Sequence, residues 1–256
     1  RALEIIKNSD LILCEDTRVS KKLLNRYKIS KKLFSNHKFN EKKNLSLVLE
    51  LLEKNKIISI VSDAGTPTIS DPGKLLINKC IEKNINIYSV PGPSAVSAAI
   101  SVSGFSDKYL FCGFLPEKKN AIDKFFNSTS QMNYSIIFFI SPKKINKIIE
   151  LIKKYFFNRN ILICREITKF HEEYLRSSVK NLSEVSISTK GEVTVVISED
   201  INLKKKFIKL EESDKKKINK LIKKMSIKDI VKKDSEDRKI SKKLIYNYCL
   251  DLKNEI

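Results

Sequence analysis

The amino-acid sequence predicts an α/β protein with two α/β domains and a small basic helical segment at its C-terminal end. Short apolar, β-branched runs alternate with amphipathic stretches of helical length, which is typical of βα units. Five of the six glycines and five of the six prolines lie in 65–116, so the shaped loops are concentrated there. Residues 201–256 contain 18 Lys and Arg against 9 Asp and Glu, with no Gly or Pro, which predicts charged helices.

Composition excludes several classes of protein. The 256 residues include 50 Lys and Arg against 30 Asp and Glu, and the resulting net charge of +20 indicates a polyanionic partner. We expect no membrane association, because no apolar run approaches spanning length and no signal-peptide pattern is present. The five cysteines are scattered without a CxxC pair, and the two histidines lie near no such pair. We therefore expect reduced thiols in a cytoplasmic protein and no metal site.

The first predicted domain covers residues 1–105 and consists of repeated βα units. Because Arg1 already lies inside an amphipathic helix, we expect a further strand to precede it. A buried strand at 11–14 leads into a helix that Asp16 or Thr17 would cap. The remaining elements predicted in this domain are a helix at 41–54, strands at 57–61 and 85–90, and a small-residue helix at 95–102.

The stretch 57–73 is the clearest sign of a ligand site. Its strand ends in the loop Ser62-Asp63-Ala64-Gly65-Thr66-Pro67, and Asp71 is placed to cap the next helix, with proline at the first helical position. The strand at 85–90 ends in a second loop of small residues. Because loops at the carboxyl ends of strands form the ligand crevice of open α/β sheets, we expect the two loops to share one site. The candidate cofactor-binding residues in these loops are Asp63, Gly65, Thr66, Gly92, Ser94 and Ala95.

The second predicted α/β domain, 106–200, has a mixed sheet. Its predicted elements are strands at 134–140, 161–164 and 192–198 and a helix at 142–155. Beyond it, apolar residues in 201–256 fall into three short helical groups, which resembles a helix-turn-helix bundle. We interpret this segment as a substrate-recruiting module. The alternative is a charged helical tail that packs on the body or on a second subunit.

Charged residues directly after two predicted strands form the candidate catalytic set. We expect them to ring the substrate side of the site, with an acid serving as general base and the basic members holding phosphate groups. The alternative is an internal ion network that stiffens the site. The set consists of Glu15, Asp16 and Arg18 after the first strand, and Arg165, Glu166 and Lys169 after the strand at 161–164.

Seven motifs occur in the order and spacing of one known family. They are LCEDTR (13–18), SDAGTP (62–67), DPG (71–73), PGPSA (91–95), GFLP (113–116), REITK (165–169) and KGE (190–192). Together they resemble the bacterial small-subunit ribosomal RNA methyltransferase I family, a branch of the tetrapyrrole-methylase superfamily. One departure is at 139–144, where the family tends to have a Tyr-Glu-x-x-His-Arg-like segment and this chain has no glutamate.

The resemblance implies two α/β domains with S-adenosylmethionine in the cleft between them, usually in a homodimer. It further implies methyl transfer to the ribose 2′-hydroxyl of a cytidine in 16S rRNA of the small ribosomal subunit. It also adds Gly191 and Glu192 to the candidate cofactor contacts. Two alternatives stay open: a tetrapyrrole (porphyrin or corrin) methyltransferase, and a non-catalytic RNA-binding protein on a degenerate methylase fold. The basic C-terminal segment argues against the first of these.

Overall fold

The computed structural model contains two β-sheets covered by helices. Residues described by the structure are 1–182, 188, 190–200, 210, 212–222, 225–231 and 242–254. The first sheet is parallel, with the order β2-β1-β3, and consists of β1 (Leu11–Cys14), β2 (Leu33–Ser35) and β3 (Ile58–Val61). The second sheet is mixed, with the order β4-β5-β8-β6-β7. Its strands are β4 (Tyr109–Phe114), β5 (Ser135–Ile140), β6 (Asn160–Arg165), β7 (Glu173–Ser178) and β8 (Val193–Ile197).

Side chains of the first sheet alternate between two layers of helices. On one face Leu11 and Leu13 pack against buried residues of two helices, among them Val48 and Leu76. On the other face Ile12 packs against Leu24. This two-sided burial explains why β1 has an unbroken apolar sequence. The helices around this sheet are α1 (Ala2–Asn8), α2 (Thr17–Arg26), α3 (Glu41–Glu53) and α4 (Lys74–Glu82).

The second sheet has the larger core. Ile136 and Phe138 of β5 face one layer of helices, while Ile137 faces the other way and packs with Val96 and Ala99. The helices concerned are α5 (Ala95–Ser101), α6 (Lys119–Ser130) and α7 (Pro142–Phe156). Thus α5, predicted as part of the first domain, packs on the second sheet. The mixed sheet is as predicted; the division into 1–105, 106–200 and 201–256 stays a prediction.

The predicted strand at 85–90 is wrong. In the part of the chain that the structure describes, this segment pairs with no other strand, and Tyr88 is 78% exposed. Its β-branched residues favour an extended backbone, but a strand also needs a neighbour whose edge is free. Conversely, β2, β4 and β7 were not predicted, because they are short or partly polar and half exposed.

The predicted cap of α4 is also wrong, for a reason that bears on the site. The helix begins at Lys74, with Gly73 at its N-cap position, so Asp71 lies outside it. A side chain from α3 does the capping: Glu41 Oε1 accepts from the backbone N–H groups of Leu75 at 2.9 Å and Leu76 at 3.2 Å. The carboxylate of Asp71 is therefore available for another role. By contrast, Asp16, one of the two predicted candidates, does cap α2, and Ser94 caps α5.

The described part of the C-terminal segment contains helix Glu212–Leu221, a helical stretch at 227–231 and helix Lys242–Asn254. Their buried apolar residues form a small separate core, which includes Ile218 and Ile245. The helix-turn-helix arrangement stays a prediction. Across the described ranges, no helix is both long enough and apolar enough to cross a membrane.

Arg159 connects the ends of several elements around the second sheet. It precedes β6, is only 2% exposed, and its burial lowers the pKa of the guanidinium. Because backbone carbonyls at element ends have no partner within their own element, one buried arginine can satisfy several of them. Its donors reach the carbonyls of Ser130 (2.7 Å), Met132 (2.8 Å), Ser198 (3.2 Å) and Tyr134 (3.3 Å).

Replacing Arg159 by alanine should lower the free energy of unfolding by about 3 kcal/mol, since buried carbonyls lose a charged donor. Urea unfolding followed by circular dichroism measures this loss. Arg26→Ala is the matched control, because Arg26 is exposed, and it should change stability by no more than about 0.5 kcal/mol. Equal stabilities of the two variants would show that the carbonyls find other donors.

Candidate active site

A cavity of about 730 Å³ lies where loops of the two sheets meet. Its walls come from the loops after β1 and β3, the start of α5, the ends of β4 and β5, and the start of β8. In the mixed sheet β8 runs antiparallel to β5, so the first residues of β8 lie beside the last residues of β5. Both sheets thus place strand ends at one crevice, which is where α/β proteins bind ligands.

The structure brings eight of the predicted site residues to this cavity and places six elsewhere. The residues that line it are Glu15, Asp63, Gly65, Thr66, Ser94, Ala95, Gly191 and Glu192. Those outside the lining are Gly92, Asp16, Arg18, Arg165, Glu166 and Lys169. The roles of both groups remain proposals, and those of the second group that follow β6 contact neighbouring segments of the chain.

Hydrogen bonds hold the two predicted cofactor loops together. Thr66 Oγ1 donates to the carbonyl of Pro93 at 2.8 Å, so the loop after β3 is tied to the loop before α5. Asp63 Oδ1 in turn accepts from the backbone N–H of Asp16 at 3.4 Å, which connects the first loop to the end of β1. The predicted meeting of these loops is therefore visible as direct contacts.

The loop after β3 has an unusual backbone. Gly65 and Gly73 have φ values of 72° and 121°, and between them Thr68 and Ser70 also have positive φ, at 69° and 70°. Positive φ is rare for any residue with a Cβ and rarest for a β-branched one. Strained residues of this kind cluster at ligand sites, where the surrounding structure holds them. The loop therefore keeps an unusual backbone conformation, which lowers the free energy of unfolding.

The predicted catalytic residues after β6 form an internal network instead of a cavity wall. Arg165 is buried and donates to the carbonyls of Lys190 (3.1 Å) and His171 (3.2 Å). Glu166 Oε1 accepts from the N–H of Glu192 at 2.8 Å, and Lys169 Nζ lies 2.8 Å from Glu192 Oε2. These contacts match the structural alternative for this set. Their effect is to fix the segment 190–192 against the cavity.

Gly191 is the point where this network is tightest. A Cβ on Gly191 would lie 2.6 Å from Oε1 and Cδ of Glu166, and the φ of Gly191 is +96°. Gly191→Ala should therefore lower the free energy of unfolding by about 2–3 kcal/mol. Gly65→Ala is the control in urea unfolding, because its φ is +72° but its added Cβ meets nothing within 4 Å. A smaller loss for Gly191→Ala than for Gly65→Ala would contradict the tight contact.

Five carboxylates line the cavity, although the whole chain has a net charge of +20. Asp71 stands out among them, because burial and the nearby charges of Glu15, Glu192 and Asp63 raise its pKa from 3.8 to about 6. A carboxyl with a pKa near neutrality is suited to proton transfer. Sequence reasoning missed Asp71 in this role because its position before a helix favoured capping.

Asp16 and Glu166 are much weaker bases. Hydrogen bonds from the Arg18 side chain and backbone hold the pKa of Asp16 at about 2. A hydrogen bond from the Glu192 backbone, and then Lys169, lower the pKa of Glu166. Neither side chain lines the cavity. Both therefore stay ionised at neutral pH and belong to the framework around the cavity.

The opposite wall of the cavity is mostly apolar. GFLP, singled out in the sequence, supplies Phe114, Leu115 and Pro116, and the segment at 139–144 supplies both apolar residues and Lys144. Lys144 lies 3.5 Å from Glu117, so the cation of this wall is paired. The remaining apolar residues of this wall, which sequence reasoning did not select, are Ile122, Phe139, Ile140, Ile148, Ile167 and Val193. No group of His, Cys, Asp and Glu within the described ranges could hold a metal ion.

The raised pKa of Asp71 predicts a pH-dependent stability. Between pH ~4 and ~6 the unfolded chain has lost this proton while the folded chain retains it. The free energy of unfolding of the wild type should therefore fall, relative to Asp71→Asn, as the pH rises from ~4 to ~6. Above ~6 the difference between the two proteins should stay constant. Urea unfolding at a series of pH values measures it; a constant difference throughout would mean that Asp71 has an ordinary pKa.

Comparison with known proteins agrees with this fold. The family model described as Tetrapyrrole (Corrin/Porphyrin) Methylases matches residues 1–183. The chain is 42% identical over 201 residues to "Ribosomal RNA small subunit methyltransferase I" of Thermotoga maritima, covering 77% of this chain and 90% of the relative. It is 36% identical over 263 residues to the protein of the same name from Buchnera aphidicola subsp. Schizaphis graminum, covering 100% of this chain and 91% of the relative.

A solved structure of a diphthine synthase superposes with a TM-score of 0.58 at 12% sequence identity, covering 77% of this chain and 82% of that chain. At that identity the superposition concerns the fold alone. The family match and the two relatives settle the class. This chain belongs to the tetrapyrrole methylase family.

Proposed function

We propose that this protein is an S-adenosylmethionine-dependent methyltransferase that acts on the ribosomal RNA of the small subunit. In its finer form, the proposal is methyl transfer to the ribose 2′-hydroxyl of a cytidine in 16S rRNA. The observation that supports it most directly is the acid-lined cavity at the meeting point of the family motifs. The names of the two relatives support the choice of RNA over a tetrapyrrole.

The cavity has the size and lining that the cofactor needs. Its volume of about 730 Å³ lies within the range typical of small-molecule sites. Ala64, Gly65 and Ala95 give part of the lining small side chains or none, and a Cβ on Gly65 would meet nothing within 4 Å. The carboxylates of the wall suit a ligand with cationic groups. When bound, the cofactor would supply a methyl group on a positively charged sulfur.

The residues of the cavity can position and activate the substrate hydroxyl. Methyl transfer to oxygen is an in-line displacement, so alignment of the reacting atoms provides much of the rate. The hydroxyl must also lose its proton as the oxygen–carbon bond forms, and an ionised carboxylate on the wall can accept that proton. We assign this role to Asp71, whose pKa of about 6 leaves it mostly ionised at pH 7 while remaining the strongest base among the shifted carboxylates near the site.

Three further features belong to the proposal. The basic segment 201–256 would recruit the ribosomal substrate. The protein would act as a homodimer, as the family resemblance implies. It would work in the cytoplasm, where bacterial ribosomes are found.

The direct test is a methylation assay with the full chain, methyl-labelled S-adenosylmethionine, and small ribosomal subunits or 16S rRNA that lack the modification. We expect labelled 16S rRNA whose modified position resists alkaline cleavage, because a 2′-O-methyl group blocks attack by the ribose hydroxyl. Label on a base would support RNA methylation but overturn the ribose 2′-oxygen as the methyl acceptor. Label on a tetrapyrrole and none on RNA would overturn the RNA substrate.

The same assay tests the role of Asp71. Asp71→Asn should lower kcat by about 100-fold, with cofactor affinity by calorimetry unchanged, because general-base catalysis contributes roughly that factor. Wild-type kcat should rise with pH through ~6, following ionisation of Asp71. The control Asp107→Asn changes an exposed carboxylate outside the cavity lining and should retain full kcat. Full activity of Asp71→Asn would move the role of base to Glu15 or Asp63.

A further inference from the structure

The positive charge of this chain is concentrated in two stretches. Residues 17–40 contain eight Lys and Arg and no Asp or Glu. Outside this stretch and 201–256, the chain has 24 Lys and Arg against 21 Asp and Glu, so it is nearly balanced. We call the stretch 17–40 the α2–β2 surface, since it includes both elements and their connections. In a nearly neutral body, such a stretch needs an explanation of its own.

Seven of the eight cations of the α2–β2 surface form no ion pair with any described residue. Among the described residues, Arg18 alone of the eight forms an ion pair, with Asp16 at 2.7 Å. In the rest of the chain acids lie among the cations, and some of them form ion pairs, as Lys54 does with Glu50 and Lys83 with Glu53. Like charges gathered without counter-charges repel one another, so they do not serve folding. They are suited to a polyanion that binds after folding.

Part of this surface is shaped as a groove. An open depression of about 470 Å³ lies between α2, the turn after it and β2. Its walls contain three cations and several small polar side chains, with no carboxylate. Hydroxyl, amide and basic side chains are the groups that proteins use to bind phosphate oxygens. The groups concerned are Thr17, Arg18, Lys21, Asn25, Ser30 and Lys31.

Exposed apolar and aromatic side chains accompany the cations. Val19, Leu23 and Tyr27 are spaced four residues apart along one side of α2, and all three are exposed. Phe39, after β2, is 91% exposed. Cations interleaved with exposed rings are typical of surfaces that bind RNA through phosphates and bases. A second copy of this chain fits less well, because two such basic faces would repel each other.

We propose that the α2–β2 surface binds the phosphate backbone of the ribosomal RNA substrate, with the groove at Lys21 and Lys31 as its main phosphate site. This inference rests on the proposed function and adds where the RNA lies. The surface adjoins the cavity, because α2 begins directly after Glu15 and Asp16, and Glu15 lines the cavity. Since α2 has ten residues, it extends ~15 Å from that point. An RNA strand along it therefore reaches the cavity entrance.

The test compares two double variants that lose the same charge. Lys21→Gln/Lys31→Gln removes the two lysines of the groove. Lys124→Gln/Lys180→Gln removes two exposed lysines near the second sheet, which form no ion pair with any described residue. Affinity is measured for protein-free 16S rRNA and for small ribosomal subunits at several salt concentrations. Cofactor affinity and thermal unfolding of each variant confirm that the fold and the cavity are intact.

The groove variant should bind protein-free 16S rRNA about 10-fold more weakly than the wild type. Each phosphate contact that is lost means that fewer counterions are released when the RNA binds. The slope of log affinity against log salt should therefore decrease in magnitude by about 1.5. Lys21→Arg/Lys31→Arg should restore both quantities, and the control variant should stay within about two-fold of the wild type. Phe39→Ala should weaken binding with the salt slope unchanged, since stacking involves no counterions.

Different failures have different meanings. A groove variant that binds RNA like the control variant would overturn the proposed phosphate site while leaving the proposed function standing. A loss seen with ribosomal subunits and not with protein-free RNA would assign the surface to a ribosomal protein and overturn RNA as its partner. Wild-type protein that binds and methylates neither substrate would overturn the proposed function itself.

Discussion

The hydrogen bonds from the start of α4 to Glu41 determine what the site can do. They satisfy the first amides of the helix with a carboxylate from a different helix, so the acid immediately before α4 is not needed as a cap. Asp71 then faces a cavity with other carboxylates around it, and burial together with their charge raises its pKa. Glu41 thus serves as a structural anion that caps α4, whereas Asp71 can exchange protons near neutral pH.

Elements buried on both faces could be predicted from the sequence, and elements at edges could not. The strands β1 and β5 are unbroken apolar runs, and their predicted bounds agree with the structure to within a residue. The edge strand β7 has the mixed sequence EYLRSS, which has the polarity of a loop. The segment 85–90 had the opposite problem: its residues favour a strand, but pairing depends on which neighbours are available.

For the site, local sequence patterns predicted which loops meet at the cavity, but they did not predict which side chains face it. The small-residue loops after β3 and before α5 meet as expected, through the hydrogen bond from Thr66 to the Pro93 carbonyl, although the segment before α5 is not a strand. Arg165 and Glu166 come at a strand end too, yet their side chains bind the backbone of 190–192, twenty-five residues further along the chain. Whether a charge faces a cavity or a neighbouring segment depends on contacts distant in sequence, which spacing does not contain.

The contrast between the acidic cavity and the basic α2–β2 surface has a consequence for how a nucleic acid would enter. Phosphates are attracted to the outer surface and repelled by the carboxylates inside, so the strand cannot thread through the cavity as a continuous chain. Only the uncharged part of one nucleotide escapes this repulsion. A target nucleotide would therefore be turned out of its stack, with its uncharged part directed inward and its phosphates left at the rim. Electrostatic repulsion would thus select the orientation of the substrate before any base is recognised.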